Sequence, residues 1–314
     1  RSQRVWQSKE DECRNTGGIS SEDDTAMPCY LAPKTLCVLV NRWYYYTIKQ
    51  PSCDSLQTMP RFAKITGMAT EEFTGMIYVM SDIHGSKRRF DAVMEQIKLT
   101  DEDTLYILGD VIDRGEHGVE LLQRIRAAKN MRMILGNHEY MMLCLLRAGY
   151  DPADRTQEQR REHWYRNGGD VTHRDIKKLS EAERESLFDW IDALPTELDI
   201  TVNGRRYKLV HAMPKELFYL AKRPQLGEKY FSVWDRQSGE APLSGEYTMI
   251  FGHTTSHHYQ DGSPMRIWHG PDRMDIDCGS AYPDVQDKNA EFIGRLACIR
   301  LDDMREFYSG ESIY

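Results

Sequence analysis

Short apolar runs alternate with amphipathic stretches through the middle of the chain. The run from Met76 to Met80 predicts a buried strand, and the apolar spacing from Phe90 to Ile97 predicts a helix with one buried stripe. Two further apolar runs, Leu105–Leu108 and Met131–Leu135, flank a second helical pattern at Leu121–Ile125. This β-α-β-α-β order predicts parallel strands with right-handed crossovers, whose functional groups gather at the carboxyl ends of the strands.

The rest of the chain predicts first a helical segment and then a series of short strands. Residues 150–195 read as helical, with Ser180 and Glu183 at capping-box spacing, and we expect a helical subdomain there. From Leu198 onward, short strands predominate, beginning with a hairpin whose turn is Asn203-Gly204. Further strands are predicted at Thr248–Phe251, Arg266–Trp268, Met274–Ile276, Phe292–Leu301 and Met304–Tyr308. The pattern therefore predicts an α/β protein in which two β-sheets pack together with helices outside.

Residues 1–75 show no sustained period and predict a poorly ordered or peripheral N-terminal extension, with the compact domain at 76–314. Four of the seven cysteines lie in the extension, so a small disulfide or metal module is an alternative, although they form no C-x-x-C pair and no secretory signal is evident. Met76 would serve as an initiator, which makes the extension an appendage or a misassigned start. Few cysteines follow, which predicts a reduced, cytoplasmic protein, and no apolar run is long enough to span a membrane.

Charge adds one constraint. The extension holds 9 Lys and Arg against 9 Asp and Glu, so the net charge of −8 belongs to residues 76–314. Such an acidic domain lacks the basic footprint of a nucleic-acid binder. We therefore expect no nucleic-acid partner and no membrane partner, whereas small phosphorylated groups remain compatible.

Chemistry-bearing residues follow the first two predicted strands. Asp82 and His84 come after the first, and an extended strand exit would place both side chains on one side. The second strand leads into Asp110, Asp113 and Arg114. A metal beside Asp110 and a phosphate beside Arg114 would compensate this charge, with an Asp113–Arg114 ion pair as the ordinary alternative.

Three more strands end in metal-binding residue types. Asn137 and His138 follow the third strand, and His211 and His253 each follow a later one. A set of carboxylate, amide and imidazole donors without cysteine suits two ions such as manganese, iron or zinc. The remaining histidines are interpreted as ordinary surface or core residues: His117, His163, His173, His257, His258 and His269.

The motifs together resemble a known family. S-D-I-H-G at 81–85, G-D-V-I-D-R-G at 109–115 and G-N-H-E at 136–139, followed by His211-Ala212 and Gly252-His253-Thr254, are similar to the PPP-type serine/threonine protein phosphatases, in particular bacterial and phage forms. These belong to the calcineurin-like metallophosphoesterases. Further similarity lies at Trp164 with Asn167-Gly168-Gly169, at Trp234-Asp235-Arg236 and at Asp277-Cys278-Gly279. The resemblance implies the metallophosphoesterase fold, an α/β/β/α sandwich.

The resemblance also implies a two-metal centre, with manganese as the expected metal and iron or zinc as alternatives. Asp82, His84 and Asp110 would hold one ion. Asp110, Asn137, His211 and His253 would hold the other, and a bridging hydroxide would attack the phosphorus directly. Arg114, Arg236 and Asn137 would bind the phosphate, and His138 would protonate the leaving alkoxide while Asp113 orients its ring.

The function expected from this resemblance is dephosphorylation of phosphoserine and phosphothreonine in proteins, with phosphotyrosine as a further substrate and a phosphorylated protein or peptide as the partner. The alternative enzyme is a symmetrical dinucleoside polyphosphate hydrolase, against which Asp113 and Glu139 argue, because that branch typically differs at both positions. A metallonuclease or cyclic-nucleotide phosphodiesterase fits less well with two arginines for a terminal phosphate. The non-enzyme alternative is an inactive phosphopeptide-binding scaffold. Neither the physiological substrate, the native metal nor the oligomeric state follows from the sequence.

Overall fold

The computed structural model describes residues 75–236, 243, 245–284 and 290–310. The predicted N-terminal extension therefore lies, apart from Gly75, outside the described residues. Within the described part of the chain, no helix is both long and apolar enough to cross a membrane.

Ten strands and seven α-helices make up the described fold. The strands are β1 (Ile77–Met80), β2 (Thr104–Ile107), β3 (Met131–Met133), β4 (Glu197–Val202), β5 (Arg205–Val210), β6 (Thr248–Phe251), β7 (Trp268–His269), β8 (Arg273–Asp275), β9 (Ala297–Arg300) and β10 (Arg305–Tyr308). The helices are α1 (Lys87–Ile97), α2 (Gly118–Ala127), α3 (Asn137–Leu146), α4 (Gln157–Arg166), α5 (Gly169–Ile176), α6 (Glu181–Asp192) and α7 (Gly227–Trp234). Short 3₁₀ helices lie at Lys215–Leu220, Pro224–Leu226 and Ser256–His258.

The strands form two mixed sheets. The first has the order β10-β9-β1-β2-β3, in which β1, β2 and β3 are parallel and β9 is antiparallel to both its neighbours. The second has the order β4-β5-β6-β8-β7, with a parallel centre of β5, β6 and β8. The predicted parallel β-α-β-α-β unit is thus the centre of the first sheet.

Strand β1 explains how the apolar pattern produces layers. Tyr78 and Met80 belong to the core between the first sheet and its helices, whereas Ile77 and Val79 belong to the core between the two sheets. Because side chains alternate across a strand, a strand buried on both faces must be apolar at every position. The predicted α/β fold class, two packed sheets flanked by helices, is confirmed.

Local signals also gave correct elements. The β4–β5 hairpin turns at Asn203 and Gly204, whose φ angles of 50° and 77° are those of a type I′ turn. Helix α6 begins after Ser180, and Ser180 and Glu183 form the reciprocal capping box. Three helices, α4, α5 and α6, occupy the segment predicted to be helical.

The strand expected at Phe292–Leu301 is too long. Only Ala297–Arg300 pairs within the sheet, as β9. The preceding backbone instead bonds to the loop after β8: the N–H of Gly294 donates to Pro283 O (3.0 Å) and the N–H of Arg295 to Cys278 O (2.9 Å). An apolar run alone does not reveal which partner its backbone will choose. Of the strand expected at Arg266–Trp268, only Trp268 is in a strand, and β7 continues from it to His269.

Candidate active site

The carboxyl ends of five strands meet around one cavity of about 230 Å³. From the first sheet, β1, β2 and β3 lead into the segments that carry Asp82, Asp110 and Asn137. From the second sheet, β5 and β6 lead into His211 and His253. The cavity is lined by Asp82, His84, Asp110, Arg114, Asn137, His138, Asn167, Trp234, Arg236, His253, Thr255, His258, Asp277 and Tyr282. Of the ten residues predicted for the site, eight line this cavity, and His211 and Asp113 lie directly behind it.

Backbone conformation at the site departs from the extended exit that the sequence suggested. Asp82 and His84 have φ angles of 51° and 50°, so the chain leaves β1 in left-handed turns rather than as a continued strand. Asp110 and His253 share this conformation, with φ angles of 54° and 68°. Such conformations cost on the order of 1–3 kcal/mol each in residues other than glycine. The two side chains do face one cavity, but for a different reason than strand alternation.

Hydrogen bonds between loops hold these turns. The N–H groups of His84 and Gly85 donate to the carbonyls of Asp110 and Val111 at 2.9 and 2.7 Å. The N–H of Gly252 donates to His211 O at 3.0 Å, which joins the two exits of the second sheet. The loop after β1 is therefore fixed to the loop after β2, and the exits of β5 and β6 are fixed to each other.

Two groups of donor atoms could each hold a metal ion. Among the described residues, His84, Asp110 and His138 form one group, and Asp110, His211 and His253 form the other, with donor atoms within 4.8 Å of one another in each. Asp110 belongs to both, as a bridging ligand would. Neither group contains any of the six histidines interpreted as ordinary, although His258 does line the cavity.

Asn137 and Asp82 extend these groups. The Oδ1 atom of Asn137 lies 2.9 Å from His211 Nε2 and 2.8 Å from His253 Nδ1. The Oδ1 atom of Asp82 lies 3.8 Å from His84 Nε2, and its Oδ2 accepts hydrogen bonds from the Ser81 hydroxyl and from the N–H of His253. All six predicted ligands thus converge on one place.

The electrostatics of the group fit divalent cations. Burial raises the pKa of Asp82 to about 7, assisted by the neighbouring Asp110, and burial followed by the charge of Glu139 holds the pKa of Asp110 well above its usual range. Burial also lowers the pKa of His84 and His253 well below the ordinary value, so these rings are neutral near pH 7. Neutral imidazoles and buried carboxylates are the ligand forms that metals require, and the carboxylates need such a positive charge.

His138 is held by Asp113. Its Nδ1 lies 2.7 Å from Asp113 Oδ2, and both side chains are almost wholly buried. Burial raises the pKa of Asp113 to about 7. The described residues show no ion pair between Asp113 and Arg114, so the ordinary alternative for this motif is not observed. The Nε2 atom of His138 lies 3.8 Å from Asp110 Oδ2, so the structure places His138 in the first donor group, whereas the sequence predicted a proton donor there and not a ligand.

Two arginines line the cavity with exposed side chains. Arg114 places one guanidinium nitrogen 3.3 Å from His138 Nε2. Arg236 donates to Thr254 Oγ1 at 2.7 Å and to His253 O at 3.3 Å. Both lie within reach of an anion bound at the donor groups.

Two buried carboxylates at the site were given no role from the sequence. Glu139 is fully buried and accepts the N–H groups of Asp110, Val111 and Ile112 at 2.9, 2.8 and 3.3 Å. Asp277 lines the cavity, and burial, followed by the charge of Asp82, raises its pKa to about 8. The sequence signals that could have identified them were a glutamate directly after Asn137-His138 and an aspartate just after β8.

Comparisons with known proteins agree on the superfamily. Residues 75–289 match the family model described as calcineurin-like phosphoesterase. Symmetrical bis(5'-nucleosyl)-tetraphosphatases from Paracidovorax citrulli and Acidovorax ebreus are 26% and 30% identical over 138 residues, which cover 43% of this chain and 43% of each relative. The chain therefore matches less than half the length of these curated relatives.

Solved structures give only distant likenesses. A structure described as that of a proposed diadenosine tetraphosphatase covers 76% of this chain and 94% of its own, at 14% identity and a TM-score of 0.46. A protein serine/threonine phosphatase from Saccharomyces cerevisiae covers 76% of this chain and 79% of its own, at 15% identity and a TM-score of 0.45.

The resemblance drawn from the motifs is confirmed at the level of the superfamily and not at the level of the protein phosphatases, since the curated sequence relatives carry the name of the alternative enzyme. With more than half of the chain matched by the family model, and with the donor groups at the strand ends, the chain belongs to the calcineurin-like phosphoesterases.

Proposed function

We propose that the protein hydrolyses phosphate monoesters, above all those with alkoxide leaving groups. Phosphoserine and phosphothreonine in proteins are the leading substrates, and phosphotyrosine is a further one. In this proposal Asp82, His84 and Asp110 hold one divalent ion. Asp110, Asn137, His211 and His253 hold the second, with manganese as the expected metal. When bound, the two ions would supply positive charge and activate water for attack on the phosphorus.

The observation that carries the proposal is the 2.7 Å contact between His138 and Asp113. A carboxylate at Nδ1 fixes the ring so that Nε2 faces the cavity, where a leaving oxygen would lie. The alkoxide of serine or threonine is a poor leaving group that needs a proton as its bond to phosphorus breaks. An oriented imidazole supplies one.

Arg114 links phosphate binding to this proton transfer. A guanidinium can only donate hydrogen bonds, so its contact with His138 requires Nε2 to accept. The oxygens of a phosphate are stronger acceptors and offer fork geometry to arginine. In the proposed mechanism substrate draws Arg114 onto the phosphate, together with Arg236. Nε2 is then free to take up a proton from water, and the imidazolium, stabilised by Asp113, passes that proton to the leaving oxygen and returns to its neutral form.

Symmetrical cleavage of dinucleoside tetraphosphates is the second candidate, and the names of the curated relatives support it better than they support the first. The site chemistry favours the first candidate. Symmetrical cleavage releases a nucleoside diphosphate, whose terminal phosphate ionises near pH 6 and departs without a proton donor. The Asp113–His138 pair would then contribute little to the rate.

Substrate preference separates the two candidates. The full chain would be stripped of metal, supplemented with manganese, and assayed on a phosphoserine peptide, p-nitrophenyl phosphate, bis(p-nitrophenyl) phosphate and diadenosine tetraphosphate. Manganese-dependent turnover of the two monoesters, with the phosphoserine peptide favoured over the dinucleotide, is the expected result. Preference for the dinucleotide would transfer the assignment to the second candidate. No turnover of any of the four substrates despite bound metal would favour the inactive phosphopeptide-binding scaffold.

A further inference from the structure

Trp164 is the largest of the fully buried side chains, and its polar atom faces the candidate site. Its indole N–H donates to Asp113 Oδ2 at 2.7 Å. That same oxygen lies 2.7 Å from His138 Nδ1. Two donors, one from α4 and one from α3, therefore converge on a single carboxylate oxygen. A buried tryptophan usually finds a partner for its N–H, but the partner here also contacts the proposed proton donor.

The backbone at Asp113 needs outside support. Asp113 and Arg114 have φ angles of 71° and 66°, two successive left-handed conformations without glycine. The N–H of Asp113 donates to Thr172 Oγ1 at 2.9 Å, and the N–H of Arg114 donates to Gly168 O at 3.0 Å. Both acceptors belong to α5 or to the turn that precedes it. Strained backbone of this kind persists only where its surroundings fix it.

Two glycines let this turn come so close. Gly168 has a φ angle of +89°, and a Cβ there would lie 2.8 Å from Arg114 Cγ. A Cβ on Gly169 would overlap the indole ring of Trp164. The spacing Trp164-x-x-Asn167-Gly168-Gly169 therefore describes one physical unit, in which the glycines allow the turn to reach Arg114 and the indole to reach Asp113.

We propose that Trp164 is a positioning residue of the reaction, whose indole N–H fixes the Asp113 carboxylate and thereby orients His138. The inference rests on the proposed function, in which His138 protonates the leaving group. Asp113 is fully buried, so a carboxylate that lost the indole donor would have no water to replace it. It would rotate or tilt, and the ring of His138 would follow.

The test removes the indole N–H while keeping the shape of the side chain. Replacing Trp164 in the full chain by β-(3-benzothienyl)alanine exchanges the N–H for sulfur, and Trp164→Phe is the ordinary companion. With manganese, we expect kcat for an alkyl phosphate to fall about tenfold, kcat for p-nitrophenyl phosphate to change less than about threefold, and KM to stay within about twofold. Trp190→Phe, on the partly buried side of α6, is the matched control and should leave all three values unchanged.

A second readout does not depend on turnover. In the metal-free wild type the His138 Nδ1 proton should give a low-field NMR resonance, and both Trp164 replacements should move or broaden it. Adding either replacement to Asp113→Asn should cause no further loss with the alkyl ester, because Trp164 acts through that carboxylate.

The outcomes separate the two proposals. Equal slowing of both esters, or an unchanged His138 resonance, would overturn the role of Trp164. If His138→Asn slows both esters equally, the proton-donor role itself is wrong, and the resonance alone then decides whether Trp164 holds the Asp113–His138 pair.

Discussion

Glu139→Gln should weaken both the fold and the candidate metal centre. In the structure Oε1 accepts the N–H groups of Val111 and Ile112, and Oε2 accepts that of Asp110. An amide has one accepting atom, so glutamine can keep the Oε1 contacts or the Oε2 contact, and it then turns an NH₂ group toward a buried N–H. The change leaves at least one donor without a partner in a side-chain environment that is fully buried.

The magnitude follows from that geometry. One unsatisfied buried N–H costs about 1–3 kcal/mol, and the remaining bonds lose the strength that a charged acceptor gives them. We expect a loss of about 2–3 kcal/mol in the free energy of unfolding, or roughly 4–12 °C in Tm for a domain of this size. Metal affinity should fall as well, because every N–H that Glu139 accepts belongs to the loop that begins with Asp110, the shared donor.

Urea denaturation followed by tryptophan fluorescence would measure the stability, and titration with manganese would measure the affinity. Glu158→Gln is the matched control, since Glu158 lies on the exposed surface of α4 and, within the described part of the chain, forms its ion pair with Arg161 alone. A Glu139→Gln variant as stable as this control, with unchanged manganese affinity, would refute the argument that Glu139 holds the Asp110 loop.

Three further predictions concern Asp110, His138 and Asp103. Asp110→Asn should abolish turnover of p-nitrophenyl phosphate and remove the second bound ion, because Asp110 is the donor common to both groups; elemental analysis beside the assay checks this, and two tightly bound ions in the variant would contradict it. His138→Asn should slow an alkyl phosphate by about 100-fold or more and p-nitrophenyl phosphate much less, since nitrophenolate leaves without a proton; the ratio of the two kcat values is the measurement, and equal slowing would remove His138 from its role. Burial alone would raise the pKa of Asp103, but the hydrogen bonds from Thr100 and Met76 lower it below the usual value. The ionised carboxylate therefore stabilises the fold at pH values above its unfolded pKa, and this stabilisation is lost as pH falls through the folded pKa. Asp103→Asn should therefore lower stability at pH 7 by about 1 kcal/mol and reduce the loss of stability between roughly pH 5 and 3, as denaturation at several pH values would show; an unchanged pH dependence would contradict this.

The positions of the metal-binding residue types were predictable because strand periodicity and parallel topology decide where they lie. The apolar run at Met76–Met80 required a strand buried on both faces, and strand ends in a parallel unit share one edge. Asp82, Asp110 and Asn137 therefore had to meet. His211 and His253 met them because the two sheets pack together.

Other features depend on contacts that leave no local pattern. The left-handed turns at Asp82 and His84 are stabilised by loops distant in sequence, so the expectation of an extended exit failed. The roles of Glu139 and Trp164 depend on which buried donors or acceptors reach them after folding. Periodicity also did not predict that the backbone before β9 bonds to the loop after β8.

The donor groups combine residues from both sheets, and this has a consequence for the stability of the fold. His253 from the second sheet lies 2.8 Å from Asn137 of the first, across 116 positions of chain. An ion held by both would be a reversible cross-link between the two sheets and would close long loops of chain, much as a disulfide does. This edge of the two sheets would then be more stable with bound metal and less stable in the presence of a chelator. The supply of metal would therefore govern the lifetime of the folded protein as well as its turnover rate.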